Sequence, residues 1–111
     1  MKDYPIETVI LRGVFNFIGN PESNFQGPLK KGNRPSVSIG SDGKATSCSI
    51  LSDVQIALGE TKEVEIVVLN QLQLGQKIEK GTVLNVNSPI HKIGEFLITE
   101  HLGIWQGGKV P

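Results

Sequence analysis

The chain has 111 residues, 38% of them hydrophobic and 20% charged, with 11 basic against 11 acidic side chains. That profile fits one soluble globular domain rather than a disordered or membrane-bound chain, and the balanced charge withholds the cationic excess that advertises nucleic-acid binding. Cys48 is the only cysteine, which excludes an internal disulfide framework or a thiolate zinc cluster within one chain and suits the reducing cytoplasm.

The start, Met1-Lys2-Asp3-Tyr4-Pro5, is polar and leads into no apolar run long enough for a signal peptide or a membrane span, so no export is expected. Glycine, proline or a β-branched cluster interrupts every would-be helical period, and the chain reads as all-β. The first strand spans Ile6 to Phe17, with Val9, Leu11 and Phe15 on one parity and Ile10 and Val14 on the other. Such a strand has both faces partly covered, and Arg12-Gly13 mark a bend or bulge in it. From Gly19 to Asn33 the turn-forming residues make a long loop, a candidate binding element, with Phe25 and Leu29 as its anchors on the barrel.

Pro35 to Ile39 alternates Val37 and Ile39 with serines, Ser41-Asp42-Gly43-Lys44 supplies a hairpin turn, and Ala45 to Leu51 returns. A turn at Leu58-Gly59-Glu60 precedes the clearest alternation, in which Val64, Ile66 and Val68 face the core. Lys80-Gly81 forms a turn, Thr82 to Asn87 a strand, Ser88-Pro89 a break, and Lys92 to Leu102 the last strand. Six strands with short turns and no intervening helix predict an antiparallel barrel over residues 1–103, followed by a glycine-rich tail over 104–111.

Three segments carry a resemblance to a known family. Gly32-Asn33-Arg34-Pro35-Ser36-Val37 is similar to the Gly-Tyr-Arg-Pro-Gln-Phe segment in the third domain of elongation factor Tu. Leu58 to Ile66 looks like that domain's turn and alternating strand, and Leu84-Asn85-Val86 through Gly94 to Leu102 aligns without gaps with its final hairpin. The likeness runs from about Tyr4 to Leu102 and implies a six-stranded antiparallel closed β-barrel, a fold that hosts more than one function. In the family an Arg-Glu-Gly-Gly-Arg turn of that hairpin helps grip transfer RNA. Here the same positions are Asn87, Ser88, Pro89, Ile90 and His91, so the phosphate-forking arginines and the glycines that admit close backbone approach are gone.

Nothing in the chain resembles a phosphate-binding Gly-x-x-x-x-Gly-Lys-Ser/Thr loop or a nucleophile triad. His91 and His101, the only imidazoles, lack companions at metal-ligand spacing. The expectation is therefore a non-catalytic binding module without cofactor or metal, holding a protein partner, with no membrane or DNA role. One version is an immunity or decoy protein that copies the elongation-factor domain; RNA or transfer-RNA binding and an enzyme of unrecognised type are the alternatives. The candidate partner-binding residues are Lys30, Lys31 and Arg34 in the densest basic cluster, Asn87 and His91 in the altered turn, and Trp105 in the tail. For Arg34, anchoring of the long loop stands beside ligand contact. For Trp105, packing back onto the barrel stands beside partner contact. Cys48, between two serines, is read as a small packing residue.

Overall fold

Branched and aromatic side chains fit a pleated, half-covered surface better than a helix, and the segments rich in them are strands. The computed structural model describes residues 8–40, 44–75, 78–88, 90–106 and 110–111. Its strands are β1 (Val9–Phe17), β2 (Leu29–Lys30), β3 (Ser36–Ser38), β4 (Ala45–Ile50), β5 (Gln55–Ile56), β6 (Thr61–Val68), β7 (Val83–Asn87) and β8 (Lys92–Ile104), with a 3-10 turn at Gln71–Leu74. Six of them close a barrel in the order β1-β6-β4-β3-β7-β8, and each neighbouring pair is antiparallel. The radius of gyration, 12.9 Å, is close to the roughly 13 Å of a single compact domain of about this size.

The expected six-stranded barrel is thus observed. Positions 6 and 7 and the turn residues 41–43 lie outside the described residues. So does Pro89, but β7 ends at Asn87, just before it. β8 runs two residues past the expected end at Leu102, because Ile104 still pairs with Val9. The anticipated irregularity at Arg12-Gly13 is a register shift of β1 against β8, with another between Ile10 and Leu11.

Alternation decides the inside. Val9, Leu11, Phe15 and Phe17 of β1 are buried, as are Val64, Ile66 and Val68 of β6, Leu84 and Val86 of β7, and Ile93, Phe96 and Ile98 of β8. Phe15 meets Phe96 edge to face, with ring centroids 6.3 Å apart. Cys48 belongs to this core, and burial pushes its thiol up to about 12. The two ends are plugged separately: Leu29 and Ile56, paired across the β2–β5 ribbon, enter the core at one end, and Leu74 and Ile78 lie at the other. On the outer wall Arg12 bridges its cross-strand neighbours Glu65 and Glu100 at 2.7 and 2.8 Å. The hydrogen bond to Glu65 is the main reason its basicity is raised.

Candidate functional site

The long connection from β1 to β3 lies across one end of the barrel, and short polar contacts pin it there. Asn20 Oδ1 accepts the Glu22 N–H at 2.9 Å, and Asn20 Nδ2 donates to the Lys92 carbonyl at 3.1 Å. Gly19 N–H donates to the Ile93 carbonyl at 2.7 Å. Ser23, buried, donates its hydroxyl proton to the Ser88 carbonyl at 3.0 Å and accepts the Phe25 N–H at 3.1 Å. Phe25 stacks on Phe17 at 5.9 Å, so both anchors expected from the sequence, Phe25 and Leu29, do hold the loop.

Pinning the loop at Ser88 leaves a groove of about 450 Å³ between it and the β7–β8 turn, lined by Glu22, Ser23, Asn24, Phe25, Ser88, Ile90 and His91. Ile90 stands 82% exposed on its rim. His91 Nδ1 is 3.9 Å from Glu22 Oε1, too far for a hydrogen bond and within reach of an ion pair when the imidazole is protonated. A smaller recess of about 150 Å³ shares Phe25 and Ser88 with this groove and reaches Asn33 and Arg34.

The sequence-predicted residues fall into three places. Asn87 and His91 flank the groove; Asn87 ends β7, pairs with Ser36 and Lys92, and donates its amide to Ser38 Oγ at 3.3 Å. Lys30 and Lys31 are exposed on an adjoining turn, where Lys30 N–H donates to Asn33 Oδ1 and Asn33 N–H to the Lys30 carbonyl. Gly32 at φ +88° makes that turn possible. Arg34 extends toward the tail instead, its guanidinium donating to the main-chain oxygens of Val110 and Pro111. Trp105 sits at the far end, its backbone N–H donating to the Thr8 carbonyl at 2.8 Å beside the Val9–Ile104 pair.

Sequence reasoning did not single out Glu22 or Ser23, which complete the groove. Their partners across the groove, Ser88 and His91, are 65 or more residues away, and their local signals were only the short turns that join Glu22 and Ser23 to Asn20 and Phe25 to Ser23. Among the described residues no cluster of three His, Cys, Asp or Glu side chains could hold a metal, and no helix is long and apolar enough to cross a membrane. The molecule is therefore, by class, a closed antiparallel β-barrel of six strands with a loop-capped end. No protein-family model matches the chain, and no curated protein does.

Proposed function

We propose that this chain is a non-catalytic binding module of the reducing cytoplasm, similar in build to the third domain of elongation factor Tu, that holds a protein partner in the groove between the capping loop and the 87–91 turn. The carrying observation is Ile90: a branched apolar side chain at the rim of a mostly uncharged groove, 82% exposed where a turn ordinarily carries polar residues. Two facts favour binding over chemistry. The Ser23 hydroxyl proton is committed to the Ser88 carbonyl, and His91 faces a carboxylate rather than a hydroxyl. A decoy or immunity role, in which the barrel occupies a surface that normally docks the elongation-factor domain, is the specific version of this reading.

The test is capture with the tagged full chain from native lysate at low salt, with and without nuclease, comparing I90D and the double reversal K30E/K31E. A stoichiometric protein that resists nuclease and is lost on I90D supports the proposal. If ligands of elongation factor Tu fail to compete for that protein, the decoy version falls. Recovery of RNA that washes off in moderate salt and is lost on K30E/K31E replaces the proposal with RNA binding.

A further inference from the structure

Strand parity turns Ser49 of β4 and its cross-strand partner Val67 of β6 outward, since Cys48, Ile50, Ile66 and Val68 point into the core. Outward residues on a barrel wall should be wet, yet Ser49 and Val67 are both 0% exposed, and Val67 is not part of the inner cluster. Residues 110–111 cover Ser49, the cross-strand neighbour of Val67. Val110 is itself 1% exposed, and the Ser49 hydroxyl donates to the Pro111 oxygen at 2.8 Å. Arg34 comes from the segment alongside β4, where Ile50 N–H donates to the Asn33 carbonyl and Cys48 N–H to the Pro35 carbonyl. From there it donates to the Val110 oxygen at 2.8 Å and to the Pro111 oxygen at 3.1 and 3.2 Å.

We infer that this wall is a peptide-binding site, formed by Arg34, Ser49 and Val67 and occupied in cis by Val110-Pro111. It has the parts such a site needs: an apolar seat, a planar cation reading two successive main-chain oxygens, and a fully buried hydroxyl. Its side chains offer donors to the peptide backbone. Proline, which has no N–H, leaves no orphan donor against the wall. The ligand class is an extended peptide with a small branched residue followed by one whose main-chain oxygen accepts from both Arg34 and Ser49. The tail fills the site because covalent attachment raises its effective concentration to the order of millimolar. Arg34 also lines the recess that adjoins the loop-end groove, but the tail contacts lie at Ser49 on the barrel wall, and neither reading depends on the other.

The test is a fluorescence-anisotropy titration of an N-terminally labelled peptide with the sequence of residues 105–111 into two full chains, unaltered and V110D. The substitution evicts the resident side chain from a place outside the inner core. V110D, with the circular dichroism of the barrel retained, is expected to bind the peptide, the unaltered chain at least about tenfold more weakly because its own tail competes, and R34A/V110D not at all. Absence of binding to folded V110D, or equal binding by both chains, overturns the inference. Should V110D fail to fold, amide exchange at Val110 of the unaltered chain decides the matter. Saturating peptide must accelerate that exchange by displacing the tail; a rate unchanged up to millimolar peptide overturns the inference.

Discussion

Gly13 of β1 lies against the ring edge of Phe96 in β8: a β-carbon at position 13 would collide with the Leu97 carbonyl oxygen and stand 2.6 Å from the Phe96 ring. One of these obstacles is backbone, so the strands themselves must part to admit a methyl group. G13A is expected to cost about 1–3 kcal/mol, the range for over-packing a well-filled core. Urea denaturation measures it, and a loss below about 0.5 kcal/mol would mean that β1 and β8 can separate without penalty.

Removing the Phe25 ring should loosen the capping loop and spare the barrel. F25A forfeits the stacked pair with Phe17, about 0.5–1.5 kcal/mol beyond its buried area. Hydrogen exchange over residues 20–28 is expected to accelerate while β1, β6 and β8 keep their protection. A uniform acceleration throughout the barrel would show that the loop is integral to its closure.

Burial pushes the Cys48 thiol up to about 12, above its unfolded value of about 8.5. The folded chain therefore holds its thiol proton to higher pH than the unfolded chain. The resulting stability is complete below the unfolded value and is lost as pH rises from there toward 12. A C48A chain should show a flatter alkaline limb in its Tm-versus-pH curve, whatever its offset at neutral pH. In the unaltered protein, thiol reagents at pH 8 should label Cys48 only at the rate at which the barrel opens.

Glu60 behaves in the opposite sense. The Ala57 N–H donates to its carboxylate at 2.7 Å and holds it below the usual carboxylate range, with Lys62 adding a smaller pull. Stability from this turn is present above the unfolded carboxylate value and is lost as pH falls through the depressed folded one. E60Q should reduce the loss of Tm between about pH 5 and pH 3 relative to the unaltered chain. Superimposable acid limbs would remove Glu60 from the account.

Because Ile90 touches solvent over most of its surface, I90D is expected to change stability by no more than about 0.5 kcal/mol. Thermal unfolding checks this, and the result validates I90D as a clean probe of partner capture.

All six barrel strands were legible from period-two alternation and turn residues, because one face of each is buried and a one-residue slip would expose it. The turns at Leu58-Gly59 and Lys80-Gly81 form as their glycines suggest, with hydrogen bonds from Glu60 to Ala57 and from Thr82 to Glu79. The β2–β5 ribbon escaped notice: two-residue strands are too short to show a period, and each is stabilised by a partner some 25 residues away. The groove was half legible. Asn87, His91 and the long loop could be named, but their meeting depends on Ser23 reaching Ser88 across 65 residues.

The sequence by itself determined the class of fold and the buried faces, since alternation and turn chemistry act over a few residues and are written into neighbouring positions. Tertiary structure alone decided what Arg34, Ser49 and residues 110–111 do. Arg34, read as a clamp for its own loop or as a ligand contact, reaches Val110 and Pro111, 76 and 77 residues along the chain. Ser49, an ordinary outward serine by parity, is buried beneath the same residues. A guanidinium or hydroxyl carries no local sign of its acceptor, because hydrogen-bond partners are chosen by distance in space, and only the closed barrel brings Val110 and Pro111 onto its wall.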